Sequence, residues 1–451
     1  MRFDQPAYND QDELTFGSAR TPLSYGLGLS VGDGKVVPEV KYMLKPGFEK
    51  SLEPLLGEYR NVTLSIMERS INLGASDVQM ETEFVEPVVL NGGWSEAVAR
   101  TQKDLLHRYH DEHGVRTALR ATVADVRRFG EGLRGGGHYS RMMESFEAAA
   151  AGGADLLSIE SRGGQEVFSY SLIRNDLAGI LFAVGVLAPA DVRFLWREIV
   201  RIKSAIPAGD TGCALANSAM VLADGLSGRK LSHTLSAVIR AMTAVRTLAC
   251  YEEGARGPGK DCAYENVIVK AVTGYPMSME GKTSAMAHSS LVGNVAAAAC
   301  DMWSNETIVM DDAFGGKTTA VIFEMLNYDA ALMNQSISSG TRESLKRLYV
   351  DSDKYRDPQA LILSPESAVR LATAIVSAKT DYERTVAAAR EAVAIIDEES
   401  VRLRLPAIEL RYLKLLKDFL ASVPEESKLI EDSLGRLKEK VPEFRPPNYG
   451  L

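Results

Sequence analysis

Cysteine is scarce in this sequence, and its scarcity excludes one class of protein. The 451 residues contain four cysteines, Cys213, Cys250, Cys262 and Cys300. Small folds that are held together by disulfides place more cysteines in a much shorter chain. The four thiols are therefore expected to be free or to bind a metal ion.

The sequence also lacks a secretion signal and a hydrophobic run that is long enough to cross a membrane. Its first residues, MRFDQPAYND, are polar and acidic where a signal peptide would be basic and then apolar. The longest apolar run, residues 177–190, includes glycines and a proline and is shorter than the roughly 20 residues that span a bilayer. We therefore expect a cytoplasmic protein that does not enter a membrane.

Positive charge is not in excess either. The formal net charge is -9, and the basic residues are scattered rather than clustered. A protein that binds nucleic acid needs a patch of Lys and Arg side chains to neutralise phosphates. The composition therefore excludes nucleic acid as a partner, while 45% hydrophobic residues are enough to bury one large core.

What the sequence does contain, between about residues 60 and 330, is a repeated alternation of strand-like and helix-like segments. Short apolar runs alternate with amphipathic segments whose apolar residues recur every three or four positions. This alternation is typical of an α/β fold with parallel strands, and so many repeats favour a (β/α)8 TIM barrel. The predicted strands lie near residues 78–81, 116–122, 155–161, 180–186, 205–210, 247–252 and 268–273.

The pattern divides the chain into three parts. Residues 1–60 are expected to form an irregular leader packed on the barrel, residues 61–356 the barrel, and residues 357–451 a helical C-terminal extension and tail. An open doubly wound sheet is the alternative fold. It would need a glycine-rich loop directly after a first strand, and the stretch GLGLSVGDGK at residues 26–35 follows no convincing strand.

Three of the predicted strands are followed by segments in which one metal-binding side chain stands among glycines. These side chains are Glu160, Cys213 and Cys262. Residues that follow the strands of a barrel lie at its catalytic face. Two thiolates and a carboxylate suit zinc, and three protein ligands leave a fourth position for a substrate. The spacing matches no zinc finger, so three unrelated residues at the barrel rim are the alternative.

Two further patterns are weaker. The histidines of HRYHDEHG, His107, His110 and His113, lack the HExxH arrangement of a zinc protease and fit an exposed helix end. The segment GARGPGKD at residues 254–261 nearly completes a phosphate-binding loop, but Asp261 stands where a Ser or Thr would bind magnesium. A nucleotide-binding enzyme is thus a rival hypothesis.

The amino-acid sequences of several segments resemble those of the family of methanol:corrinoid methyltransferases. The segments that follow the predicted strands, SIESRGG, AGDTGCALAN and GPGKDCAYENVIVKAVTGYPMSMEGKTS, look like the zinc-site segments of that family. The likeness continues in order through FGSARTPLSYGLGLSVGDG, METEFVEP, RNDLAG, CDMWSNE, YRDPQA and the terminal PPNYGL. Essentially the whole chain is covered.

The resemblance implies a function and an assembly. Carried over position by position, the zinc ligands would be Glu160, Cys213 and Cys262, with one zinc per chain. The family implies a (β/α)8 barrel with extra terminal helices, a homodimeric core within a heterotetramer, and a partner protein that carries the corrinoid. This chain lacks the corrinoid-binding DxHxxG, since its nearest string is DEHG at residues 111–114. The cobalt is therefore expected on the partner.

The implied reaction needs an acid. Two thiolates and a carboxylate give a zinc site a formal charge of about -1, which weakens its action on the oxygen of methanol. A carboxyl group close to such a site has a raised pKa and is able to donate a proton. Glu81 and Asp210 are the candidates, and support of a zinc ligand is the other role that suits them.

The sequence is also compatible with two other functions. The chain could be a corrinoid-dependent methyltransferase for another methyl donor, such as a methoxylated compound or a methylamine, which would need a larger pocket. It could also be a non-catalytic barrel that uses zinc for stability and docks its partner. A metal closed to exogenous ligands would support the second.

Overall fold

A curled sheet of seven parallel strands lies at the centre of the fold. The computed structural model describes residues 1–44, 47–223, 230–282, 290–308 and 316–451. The strands of the described chain are β1 (Ser18–Tyr25), β2 (Leu29–Asp33), β3 (Val37–Met43), β4 (Asp77–Phe84), β5 (Arg116–Val123), β6 (Leu156–Ile159), β7 (Ile206–Gly209), β8 (Ser278–Glu280) and β9 (Met302–Ile308). The order in the large sheet is β7-β6-β5-β4-β3-β9-β8. This mixed α/β architecture is of the TIM-like type that the alternation predicts.

Helices connect and cover the parallel strands. The longer ones up to the last strand and directly after it are Leu52–Asn72, Gly92–His113, Gly136–Ala151, Gln165–Ile173, Ala188–Ile199, His233–Glu252, Asn266–Thr273 and Thr318–Ser338. Further helices follow at Arg342–Asp353, Pro365–Ser377, Asp381–Glu398, Ala407–Ala421 and Glu426–Leu437. The C-terminal part is thus helical, as the charge-rich amphipathic pattern predicts.

An antiparallel hairpin of β1 and β2 covers the amino ends of the parallel strands. Tyr25, Leu29 and Val31 form a small apolar cluster with the first inward residues of the strands, such as Val37 and Ala118. The turn between β1 and β2 is bound to β5, because the backbone N–H of Leu27 donates to Thr117 O at 2.7 Å. The segment predicted as an irregular leader therefore contains a hairpin and, in β3, the first strand of the large sheet.

Three of the predicted strands are wrong, because those segments are helical. Residues 180–186 lie in a continuous helix, residues 247–252 end the helix His233–Glu252, and residues 268–273 belong to the helix Asn266–Thr273. All eight residues of Asn266–Thr273 are buried. A helix that is buried on every side has no polar face, so its short apolar runs are indistinguishable from a buried strand.

Three strands of the sheet were not predicted from the pattern of apolar residues in the sequence. They are β3, β8 and β9. In β3 the alternate residues Glu39 and Lys41 are fully buried in spite of their charge. A strand whose inward residues are charged does not show the apolar alternation by which strands are recognised.

The helical run Leu177–Ile199 is long and apolar enough to cross a membrane by composition alone. It extends beyond the predicted apolar run because a π-helical turn, Ala183–Leu187, joins two α-helical pieces without a break. Within its most apolar window, 67% of the residues are buried inside the fold. This burial is that of a core helix.

The C-terminal tail is hydrogen-bonded to the residues that follow β6. The Tyr449 hydroxyl donates to Glu166 Oε1 at 2.6 Å and accepts from the backbone N–H of Gly164 at 2.9 Å. Burial raises the pKa of Glu166 to about 7, and the hydrogen bond from Tyr449 only partly offsets this effect. The tail therefore encloses a carboxyl group that is stable in its protonated form.

We expect the stability of the fold to depend on pH through Glu166. Because its pKa in the folded chain lies above the value of about 4.5 in the unfolded chain, its contribution is complete below pH 4.5 and is lost as the pH rises through 7. A Glu166→Gln variant should lack this decline, which amounts to about 3 kcal/mol. Urea unfolding of both proteins at pH 5 and pH 8 measures it. Equal losses in the two proteins would contradict the assignment.

Candidate metal centre

The three predicted donors are brought together at the carboxyl ends of the strands. Glu160 directly follows β6, and Cys213 begins a π-helical turn, Cys213–Asn217, shortly after β7. Cys262 directly follows a segment, residues 256–261, that bonds to β7 on one side and to β8 on the other. One ligand atom from each of the three residues lies within 4.8 Å of the other two.

The donor atoms contact one another directly. The Cys262 thiol donates to Glu160 Oε1 at 3.0 Å, and the Cys213 thiol donates to the carbonyl oxygen of Cys262 at 3.3 Å. Cys213 Sγ also accepts from Asn217 Nδ2 at 3.1 Å. Cys262 is 2% exposed, whereas the Glu160 side chain is 32% exposed. Cys262 therefore lies on the buried side of the cluster and Glu160 on its more exposed side.

The two buried thiols are costly to ionise unless a cation lies beside them. Burial raises the pKa of Cys213 to about 11 and the pKa of Cys262 well above its ordinary value. A divalent ion offsets the cost of burying two thiolates and a carboxylate, since it supplies the opposite charge at contact distance. Two sulfur atoms and one carboxylate oxygen form a donor set that suits zinc.

Two buried lysines orient Glu160. Lys260 Nζ lies 3.1 Å and Lys41 Nζ 3.4 Å from Glu160 Oε1. Although burial raises the pKa of Glu160, the two ammonium groups bring it down to about 2. Glu160 is therefore ionised at neutral pH and available as a metal ligand.

More carboxylates surround these lysines than the lysines neutralise. Lys41 Nζ also lies 3.1 Å from Glu83, 3.7 Å from Asp261 and 3.8 Å from Glu280. Asp261, Cys262 and Glu280 form a second close group of possible ligands, all three buried. The excess of negative charge around Cys262 fits a centre that holds a cation.

Glu81 lies next to the cluster, fully buried on β4 of the curled sheet. Its Oε1 accepts from Lys260 Nζ at 2.7 Å and from Thr122 Oγ1 at 2.7 Å. Burial, followed by the charge of Asp261, raises the pKa of Glu81 to about 7, while Lys260 opposes the rise. Lys260 Nζ pairs with both Glu81 and Glu160, so Lys260 links Glu81 to the cluster.

Asp210 is enclosed by hydrogen-bond donors. Its two oxygens accept from Ser161 N at 3.0 Å, Ser161 Oγ at 2.8 Å, Trp196 Nε1 at 2.9 Å and Thr211 N at 2.7 Å. Arg246 Nη2 donates to it at 2.8 Å and forms a buried ion pair. Five donors around one carboxyl group occupy both of its oxygens.

The sequence pattern did not reveal several charged residues of the curled sheet that lie close to the cluster. Lys41, Glu83, Arg120 and Glu280 all lie at or near the cluster. A signal was present, because charged residues alternate along the strands in EVK at residues 39–41 and ETE at residues 81–83. Charges at every second position of a strand mark a polar inner face.

The two weaker patterns do not form sites. His110 Nδ1 contacts Val115 O at 2.9 Å at the end of its helix, and His113 pairs with Glu112 at the surface. In the segment 254–261, Lys260 is fully buried against carboxylates. It is therefore unable to reach a phosphate, and the nucleotide-binding hypothesis has no support.

Comparison with known proteins agrees with the geometry. A family model of the methanol-cobalamin methyltransferase B subunit matches residues 1–450. The chain is 42% identical over 457 aligned positions to the methanol–corrinoid protein co-methyltransferase of Methanosarcina barkeri, covering 100% of this chain and 99% of the relative.

The solved structures include a full-length match. In the crystal structure of a methanol:cobalamin methyltransferase complex from Methanosarcina barkeri, one chain matches with a TM-score of 0.97 and 42% identity over 100% of both chains. The resemblance that the sequence motifs carry is thereby confirmed. This chain belongs to the family of methanol-cobalamin methyltransferase B subunits.

Proposed function

We propose that this chain transfers the methyl group of methanol to the cobalt(I) of a corrinoid that a partner protein carries. The meeting of Glu160, Cys213 and Cys262 within 4.8 Å, at the strand ends of a chain of this family, is the observation that carries the proposal. One zinc ion per chain is held by these three residues. When bound, zinc supplies Lewis acidity that polarises the carbon–oxygen bond of methanol.

The reaction balances with one proton. The carbon–oxygen bond of methanol breaks and the electron pair of cobalt(I) forms the new cobalt–carbon bond, so the cobalt becomes methylcobalt(III). The oxygen leaves with the bonding pair and takes up a proton to give water. The chain must therefore hold methanol in line with the cobalt and deliver a proton to the leaving oxygen.

Glu81 is the proposed source of that proton. Its carboxyl group is fully buried, and its pKa of about 7 keeps a substantial share protonated at neutral pH. An acid with a pKa near the working pH is suited to proton transfer. Lys41 and Lys260 orient Glu160 from within the barrel and keep it ionised.

Asp210 has the supporting role. Both of its oxygens already accept hydrogen bonds from neighbouring donors such as Ser161, Thr211 and Arg246, so neither oxygen is free to face a bound molecule. Ser161 adjoins Glu160, and Thr211 lies two residues before Cys213. Asp210 therefore fixes the loops that carry two of the three ligands.

The fold is a complete (β/α)8 barrel in which residues 256–261 act as the remaining strand. Arg256 N and Gly257 N donate to Pro207 O and Ala208 O of β7, both at 2.8 Å. On the other side, Ser278 N of β8 donates to Gly259 O at 3.3 Å. The barrel unit then runs from β3 to about residue 356, with residues 1–36 before it and the helical extension, residues 357–451, after it.

The working assembly is a homodimer of these chains within a heterotetramer that includes the corrinoid protein, and it acts in the cytoplasm. Support for the corrinoid partner comes from the match to a chain of a methyltransferase complex. Support for a reducing compartment comes from the cysteines, since all four are free.

An anaerobic assay tests the proposed function. The purified chain is mixed with chemically reduced cob(I)alamin and methanol, and the loss of cobalt(I) absorbance and the formation of methylcobalamin are followed. We expect methylation that depends on methanol and stops when a chelator removes the metal. A methoxylated compound and a methylamine, each supplied at the same concentration, should not replace methanol.

The other outcomes separate the alternatives. Turnover with the methoxylated compound or the amine, and none with methanol, would assign the chain to another methyl donor. No turnover with any donor, together with a bound metal that methanol and small thiols do not perturb, would make the chain a docking barrel.

A further inference from the structure

Arg120 is a fully buried arginine that crosses the interior of the barrel beneath the ligand cluster. It lies on β5 and is 0% exposed. Its Nε donates to Glu39 Oε1 of β3 at 2.8 Å and lies 3.8 Å from Glu81 Oε2 of β4. A single guanidinium group thus contacts side chains on two neighbouring strands.

The other end of the guanidinium group reaches the elements that carry two of the ligands. Arg120 Nη1 donates to Ser158 Oγ at 2.9 Å and to Pro258 O at 3.0 Å, and Nη2 donates to Gly259 O at 3.5 Å. Ser158 lies in β6, two residues before Glu160. Pro258 and Gly259 belong to the segment 256–261, which leads directly into Cys262.

The same nitrogen therefore joins the strand that Glu160 follows to the segment that Cys262 follows. That segment bonds to β7 through Arg256 N and Gly257 N, both at 2.8 Å, whereas its bonds at Gly259, Gly259 N to Pro276 O at 3.2 Å and Ser278 N to Gly259 O at 3.3 Å, are longer. A side chain that binds the two successive carbonyl groups of Pro258 and Gly259 restricts the segment where its backbone bonds are longest.

Arginine is suited to this role and lysine is not. The guanidinium group is planar, stays charged and offers five donors in a fixed arrangement. Lysine offers one nitrogen atom on a flexible stem, so it cannot hold Glu39, Ser158 and the two carbonyl groups at once. Glu39 is itself fixed, since Ser278 and Gln79 donate to its two oxygens.

We infer that Arg120 is a positioning residue that sets the distance between Glu160 and Cys262 and thereby slows the release of the metal. The inference rests on the proposed function, because it takes these two residues as ligands. Outer residues that orient metal ligands change metal affinity by about 10- to 100-fold when they are replaced.

An Arg120→Lys variant tests the inference, with Arg384→Lys as its matched control. Arg384 is also buried, at 1% exposure, and it too binds one carboxylate, Glu252 Oε1 at 2.6 Å, and a backbone carbonyl, Phe3 O at 2.5 Å. It lies in the C-terminal helix Asp381–Glu398, away from the cluster. Both variants lose a comparable set of buried hydrogen bonds, and only one contacts the segment before Cys262.

Two readouts do not depend on activity. The first is the rate at which zinc passes from the protein to a chromogenic chelator, and the second is the thiolate-to-cobalt absorption of protein loaded with Co(II). Arg120→Lys should release zinc at least about 10-fold faster than the wild type and shift the Co(II) bands. Arg384→Lys should change neither by more than about twofold, in accord with additivity for distant sites.

A second, milder variant tests the inference in case Arg120→Lys does not fold. Ser158→Ala removes one partner of Arg120 Nη1 without removing a charge, and it should speed zinc release by about threefold, as the loss of one hydrogen bond does. Release rates for Arg120→Lys that match those of Arg384→Lys, or no change in Ser158→Ala, would overturn the inference. A wild-type protein that retains no zinc would instead overturn the proposed function itself.

Discussion

Replacement of Cys262 by alanine is expected to abolish zinc retention and methanol-dependent methylation together. The variant loses the buried sulfur ligand whose Sγ lies 3.0 Å from Glu160 Oε1, and two donors do not hold the ion at micromolar concentrations. Without the Lewis acid the rate should fall by about 10³-fold or more, which corresponds to several kcal/mol of lost polarisation. Cys213→Ala should behave in the same way. Glu160→Gln should be intermediate, since the amide oxygen remains a weak ligand.

Cys300→Ala is the matched control for this prediction. Cys300 is fully buried, and its thiol contacts Ala297 O at 3.5 Å rather than the ligand cluster. Its replacement should leave zinc content and rate within about twofold of the wild type. Metal analysis and the methylation assay, run on the same samples, measure the zinc content and the rate of each variant. Full activity in a zinc-free Cys262→Ala protein would contradict the mechanism.

The second large effect is expected from Asp210→Ala. The substitution leaves Arg246 buried without its carboxylate, which costs about 3 to 5 kcal/mol of stability. It also frees Ser161 and Thr211, which adjoin the loops of Glu160 and Cys213. We expect a lower urea midpoint and, in the fraction that remains folded, faster zinc release.

Asp301→Ala serves as the control for Asp210→Ala. Asp301 is a buried carboxylate that pairs with Lys270 at 2.8 Å, directly before β9 and thus at the amino ends of the strands. Its removal should lower stability as well, but the folded protein should release zinc at the wild-type rate. Equal release rates in both variants would show that Asp210 acts on stability alone.

The sequence indicated the ligand cluster through short segments in which Glu160, Cys213 and Cys262 stand among glycines, and through the family resemblance of those segments. The structure brings the donor atoms within 4.8 Å, although the strand predicted before Cys262, residues 247–252, is the end of a helix. The alternation of strands and helices predicted a TIM-like sheet, and four of the seven predicted strands overlap β4, β5, β6 and β7. That these donors bind zinc stays a prediction.

The interior of the barrel could not be predicted in the same way. Glu39, Lys41, Glu81 and Arg120 point into a space that most barrels fill with branched apolar side chains. Charged strands lack the apolar alternation, and fully buried helices mimic it, so both kinds of error arise from the same cause. Which charges meet depends on the register between strands, such as Lys41 opposite Glu81, and register is a tertiary property.

A zinc titration of metal-free protein tests the central claim most directly. The protein is freed of metal with a chelator, zinc is returned in steps, and the methylation of cob(I)alamin by methanol is measured at each step. We predict no methylation at the start, a linear rise, and a plateau at one zinc per chain. Full methylation before any zinc is returned, or no recovery after one equivalent is bound, would contradict the account.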